Sequence, residues 1–180
     1  GRDARHVVFY TGYAMFLAGS GSEAFQLRGT TSASQTIAGN VTLSDFTSVV
    51  DQVVLIEVFA PGDMVTPLQV LSAPLTSTGA FSVVTSPALA VGSYDIRVKG
   101  EHWLAKRVTG VSMTNTGASG VDATLINGDV NGDNVIDLTD YTEIVTDFNA
   151  LIGDPNYHTW VDLNGDGAID LTDYTVLVTN

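Results

Sequence analysis

Apolar and polar positions change rhythm about two-thirds of the way along this chain. Before residue 126, runs rich in Val, Ile, Phe, Tyr and Thr recur at short spacing: Val7–Leu17, Glu23–Arg28, Gln35–Leu43, Val53–Ala60, Ala80–Thr85, Ser93–Lys99, His102–Val108 and Gly120–Leu125. Turn formers separate them, among them Gly19-Ser20-Gly21, Ala38-Gly39-Asn40, Pro61-Gly62-Asp63, Thr78-Gly79 and Val91-Gly92-Ser93. In Tyr94-Asp95-Ile96-Arg97-Val98-Lys99 the residues Tyr94, Ile96 and Val98 share one face, the period of a half-buried strand. Short strands at regular spacing predict an antiparallel β-sandwich over residues 20–126. Beyond it the period lengthens. Leu138, Tyr141, Ile144, Val145, Phe148 and Leu151, then Leu171, Tyr174, Leu177 and Val178, follow helical spacing. The expectation is a mainly β chain with a small α part at its C-terminal end.

The first 19 residues differ from both patterns. From Val7 to Leu17 both alternating faces are mostly apolar, and such a strand needs cover on each side. Two readings stay open: a first strand buried in its own domain, or an arm that completes a neighbouring subunit's sheet. The apolar stretch from Val7 to Ala18 is too short for a spanning helix and lacks a signal-peptide layout, so the chain reads as a mature form.

Charge sharpens the division at residue 126. The chain carries a formal charge of −13, and eleven acidic residues lie between Asp129 and Asn180 with no Lys or Arg among them. Such a block repels itself when folded unless cations neutralise it. No basic stripe exists to meet phosphates, which argues against a nucleic-acid partner. With no cysteine, disulfides and thiolate zinc sites are excluded, and stability falls to core burial, with bound metal as a further source.

That acidic block is an internal repeat. Asp129-Val-Asn131-Gly-Asp133-Asn-Val135-Ile-Asp137-Leu-Thr-Asp140-Tyr returns 33 residues later as Asp162-Leu-Asn164-Gly-Asp166-Gly-Ala168-Ile-Asp170-Leu-Thr-Asp173-Tyr. Calcium takes about six to eight oxygen ligands, and a loop of about twelve residues supplies them from positions 1, 3, 5, 7 (a carbonyl), 9 and 12. The first loop offers Asp129, Asn131, Asp133, the Val135 carbonyl, Asp137 and Asp140; the second offers Asp162, Asn164, Asp166, the Ala168 carbonyl, Asp170 and Asp173. Two calcium ions are therefore expected. Position 6 must turn with positive φ, which suits Gly167 and is tolerated by Asn134. Ile136 and Ile169 at position 8 are expected to pin the loops together through a short strand contact. The absence of His and Cys ligands argues against zinc.

Unlike the EF-hand, neither loop has an entering helix, and Asp rather than Glu stands at position 12. A loop-then-helix pair with a D-x-N-G-D-x-x-x-D-x-x-D core resembles the type I dockerin over about residues 127–180. That resemblance implies calcium binding at the positions named and docking onto a cohesin domain. The positions that read the partner in familiar dockerins, often Ser-Thr, are Leu138-Thr139 and Leu171-Thr172 here. Later helix positions, often basic, are Val145-Thr146 and Val178-Thr179. The recognition surface is expected to be apolar and uncharged.

Upstream, Gly79-Ala80-Phe81-Ser82-Val83, Gly92-Ser93-Tyr94-Asp95-Ile96-Arg97-Val98 and the Gly100 to Trp103-Leu104 turn resemble the carboxypeptidase regulatory-like sandwich over about residues 36–125. This is an immunoglobulin/prealbumin-like fold that implies a structural module and no peptidase.

His6, His102 and His158 lack ligand spacing, and no nucleophile elbow or phosphate loop is present, so no catalytic residue is expected. Trp103 and Trp160 suggest core packing or, alternatively, a carbohydrate platform. Asn40-Val41-Thr42 is a glycosylation sequon, and Ser/Thr residues could carry O-glycans. The reading is a non-catalytic extracellular assembly protein. It would act on a cohesin-like partner or on identical subunits in a surface filament. The alternative is a carbohydrate-binding accessory module of a polysaccharide-degrading system.

Overall fold

The computed structural model describes residues 9–10, 13–14, 34–49 and 51–180. The chain divides into two compact units, 1–33 and 34–180. In the first, β1 (Phe9–Tyr10) and β2 (Tyr13–Ala14) pair antiparallel, Tyr10 opposite Tyr13. The apolar run therefore doubles back instead of extending as one strand. The remainder of the expected arm, and the Glu23–Arg28 strand, lie outside the described residues.

The second unit holds two four-stranded sheets and two short helices. One sheet runs β5 (Gln69–Pro74), β4 (Val53–Phe59), β7 (Gly92–Lys99), β8 (Lys106–Met113), antiparallel throughout. The other centres on β3 (Thr36–Leu43), antiparallel to β6 (Ala80–Val84) but parallel to β9 (Gly117–Ala118) and β10 (Ala123–Leu125). The expectation of purely antiparallel pairing thus fails at β3. Chain 117–125 returns along it in the same direction, which a long connection permits and a hairpin does not.

Alternation decides which faces are buried. Val54, Ile56 and Val58 of β4 point inward, while Val53 and Leu55 are exposed. Ile37, Val41, Phe81 and Leu125 of one sheet join Ile56, Ile96, Val98 and Met113 of the other in one core. Each such side chain stabilises the fold by about 1.5–3 kcal/mol.

Gly39, expected to mark a turn, lies inside β3. A Cβ there would sit 2.0 Å from the Val121 carbonyl oxygen, so glycine is needed for the close backbone approach. β8 also begins and ends later than the 102–108 run suggested. Opposite Tyr94 and Ile96 the ladder slips, and Gly110 at φ 70° donates its N–H to Asp95 Oδ1 at 3.0 Å. A bulge at Thr109-Gly110 reads in the sequence as a strand end.

A second, smaller core gathers Val130, Ile144, Ala150, Val161, Leu163, Ile169, Val176 and Leu177. It lies under α1 (Leu138–Asp147) and α2 (Leu171–Thr179).

Candidate metal-binding and docking site

Each loop feeds its helix through a capping box. Asp137 accepts from Thr139 N–H at 2.8 Å and Asp170 from Thr172 N–H at 2.6 Å. Those bonds hold both carboxyls below the usual carboxylate range, from the Thr139 hydroxyl foremost for Asp137 and from the Thr172 N–H foremost for Asp170. In return, Asp140 accepts from Asp137 N–H at 2.8 Å and from Asn131 N–H at 3.1 Å. Asp173 accepts from Asp170 N–H at 2.8 Å and from Asn164 N–H at 3.2 Å. The position-12 carboxylate thus clasps positions 3 and 9 in both repeats, and both are fully buried. Burial pushes the Asp173 carboxyl up, with the nearby Asp162 charge adding to the effect. A nearby cation would relieve that strain.

The position-1 carboxylates close the other side. Asn134 N–H, at position 6, donates to both oxygens of Asp129 at 3.1 Å. Gly167 N–H donates to Asp162 Oδ2 at 2.8 Å. Asn134 has φ 70° and Gly167 φ 91°, the turn expected at this position. Asp133 Oδ1 accepts from Val135 N–H at 2.9 Å and Asp166 Oδ1 from Ala168 N–H at 3.0 Å, leaving both side chains at the exposed rim.

The expected ligand positions thus fall on two oxygen-rich loops with the same hydrogen-bond pattern, a donor set that fits a hard cation such as calcium. Among the described residues, no three His, Asp or Glu side chains form a closed metal cluster. In each loop one of the expected side-chain ligands is an asparagine and one expected donor is a carbonyl, while Asp137 and Asp170 are turned towards their helices.

The position-8 expectation needs correction. Ile169 does not pair with Ile136. Instead Ile169 N–H donates to Ala150 O at 2.9 Å and Asn149 N–H to Ile169 O at 2.8 Å, with Leu151 bridging to Ala168. The segment after α1 occupies the edge that the first loop was expected to fill.

Residues that sequence reasoning missed join the loops to the β-sheets. Thr47 N–H donates to Asn164 O at 3.0 Å and its hydroxyl to Gly165 O at 3.1 Å. Phe46 lies against Gly165, where a Cβ would meet the ring at 2.6 Å. Asn127 Nδ2 reaches Leu163 O at 2.6 Å. His102 O accepts from Gly128 and Asp129 N–H, each at 3.0 Å, and Asn134 Oδ1 accepts from Ala105 N–H at 2.5 Å. Lys99, the last residue of β7, forms an ion pair with Asp129.

Trp103 is 1% exposed, stacked on His102 with centroids 3.7 Å apart and edge-on to Phe46. It is a core residue and offers no carbohydrate platform. Burial pushes the His102 imidazole down to about 3, so it stays neutral. His158 instead meets Asp147, Nδ1 to Oδ2 at 2.6 Å, and stacks on Trp160.

On the helices, Leu138, Leu171, Val145 and Val178 are all more than half exposed, and Tyr141 stands edge-on to Tyr174 with centroids 5.8 Å apart. Tyr141, Ile144, Val145, Phe148, Leu171 and Tyr174 line an apolar groove of about 380 Å³. The apolar, uncharged face expected from the sequence is present and open.

A pair of loop-helix repeats with this register and face defines the class of module to which the C-terminal part belongs. Residues 127–180 match the family model described as the dockerin type I domain. No curated protein sequence matches the chain. Among solved structures, the chain is similar to one chain of a type II cohesin–X–dockerin complex from Acetivibrio cellulolyticus, solved as an N-terminal interface mutant. The TM-score is 0.59 and the identity 24%, covering 81% of this chain and 94% of that one. A C-terminal interface mutant of the same complex gives a TM-score of 0.58 at the same identity and coverage. These matches carry the fold across the β-sheets as well as the repeats. Among the described residues, no helix is long and apolar enough to cross a membrane.

Proposed function

We propose that this protein is an extracellular, non-catalytic assembly module. In this reading residues 127–180 dock onto a cohesin-type domain through the exposed face of α1 and α2, and the β-sheets of residues 34–126 form a sandwich that serves as a rigid base. The observation that carries the reading is the uncharged apolar surface of Leu138, Tyr141, Val145, Phe148, Leu171 and Val178, left open on a module that matches the dockerin domain. Isolated exposed apolar residues are ordinary, but a contiguous groove on two adjoining helices marks an interaction surface.

Two calcium ions would be held by Asp129, Asn131, Asp133, the Val135 carbonyl, Asp137 and Asp140, and by Asp162, Asn164, Asp166, the Ala168 carbonyl, Asp170 and Asp173. The metal would supply positive charge to offset carboxylate repulsion. The residues supply register, since Asp140 and Asp173 already tie each loop to its helix. Calorimetric titration of the chain against a panel of cohesin domains, with calcium and with chelator, tests the reading. Binding to at least one cohesin in calcium, weakened tenfold or more by Val145→Asp with Leu171→Asp, is expected. Failure to bind any cohesin while the chain remains calcium-loaded would sink the docking reading. Self-association through the N-terminal residues is separated by deleting residues 1–18, which should abolish filaments and leave cohesin binding intact.

A further inference from the structure

The two loops share a template but not a neighbour. In the second, the position-1 carboxylate of Asp162 accepts from a neutral donor, the Tyr157 hydroxyl, at 2.7 Å from Oδ2. In the first, the equivalent carboxylate of Asp129 is fully buried and is met by the ammonium of Lys99. Lys99 Nζ also donates to Trp103 O at 3.0 Å, and Trp103 is locked in the core, so the ammonium is held at two points.

We propose that Lys99 is a tethered counter-cation for the first loop, making it the weaker calcium site and keeping it folded when calcium is withdrawn. The inference rests on the calcium reading above. A buried carboxylate is costly unless paired, and in the first loop part of that pairing is supplied by the chain itself. A divalent ion entering there must share Asp129 with a fixed positive charge, and like charges at such distances repel strongly in a partly buried site. Among the described residues, no Lys or Arg side chain forms an ion pair with the second loop. The anchors differ in the same sense. The first loop keeps the ion pair besides its N–H bonds to His102 O and the bond it accepts from Ala105 N–H. The second is tied to Thr47 and Asn127 by neutral hydrogen bonds. Lys99 thus acts as a positioning residue that couples the end of β7 to the metal loop.

Calcium calorimetry on single-loop chains tests this. Asp173→Asn leaves the first loop intact and Asp140→Asn the second. The first-loop chain should bind calcium about tenfold more weakly than the second-loop chain. Adding Lys99→Met should raise the first affinity about tenfold and leave the second unchanged. Lys99→Gln serves if the methionine variant loses its near-ultraviolet tryptophan signal. On the unmutated chain in chelator, amide exchange should show α1 more protected than α2. Equal affinities, no effect of either Lys99 substitution, or an α2 that outlasts α1 would each overturn the inference alone. Absence of calcium heat from every chain would overturn the calcium reading together with it.

Discussion

Residues 34–126 and residues 127–180 stay folded by different means. The β-sheet region surrounds a large apolar core from Ile37 to Leu125, and its ion pairs are local, such as Arg97 with Glu57 and Arg107 with Asp95. The C-terminal region has a core of eight buried apolar residues, eleven acidic side chains and no Lys or Arg of its own. Burial can carry the first. The second needs charge from outside its own sequence, whether from Lys99 or from metal. On the calcium reading proposed above, one chain thus joins a part indifferent to divalent ions to one governed by them.

The comparison breaks most visibly where the position-12 carboxylates are neutralised together. Asp140→Asn with Asp173→Asn should remove the clasp on both loops and unfold most of residues 129–180, leaving a protease-resistant fragment that contains residues 34–126. Loss of helical circular dichroism with retained strand signal is the expected readout. A core substitution sharpens the contrast. Ile56→Ala should cost about 2–5 kcal/mol in urea denaturation with or without calcium. Ile144→Ala should cost a similar amount in calcium and clearly less in chelator, where α1 keeps only the part of its protection that does not depend on the metal.

A smaller effect tests the seam between the modules. Burial holds the His102 imidazole neutral down to about 3, whereas in the unfolded chain it takes a proton below its ordinary value of 6.5. Between these values the unfolded chain binds the extra proton. The His102 contribution is therefore complete above 6.5 and drains away as pH falls towards 3. Acidifying from pH 7 to 5 should remove about 2 kcal/mol. His102→Gln should flatten that difference when both chains are compared in chelator by urea denaturation. Smallest in stability is Leu171→Asp on the open face. It should change the unfolding free energy by no more than about 0.5 kcal/mol while weakening docking at least tenfold.

The loops were legible because their ligands must recur at fixed spacing in one stretch of chain. Gly167 and Asn134 have the positive φ that position 6 requires, and the capping Asp residues fall where the helices start. Strands β3, β4, β6 and β7 were legible for the same local reason. What escaped depends on distant chain. Gly39 reads as a turn until Val121 is seen crossing over it. The edge strand β5 buries only Ala73 fully and ends on Pro74, so its pattern has little contrast. Lys99 carries no local sign that it will meet Asp129, thirty residues on. Ile136 and Ile169 match in sequence, yet the 149–151 segment, between the repeats, takes the place at Ile169.

Residue-resolved hydrogen exchange, followed as calcium is titrated into chelated protein, tests the central claim most directly. Amides of α1 and α2 should gain protection in step with two bound ions, α2 from the lower starting level, while those of β3, β4 and β7 stay unchanged throughout. Helices equally protected at every calcium concentration would contradict the account.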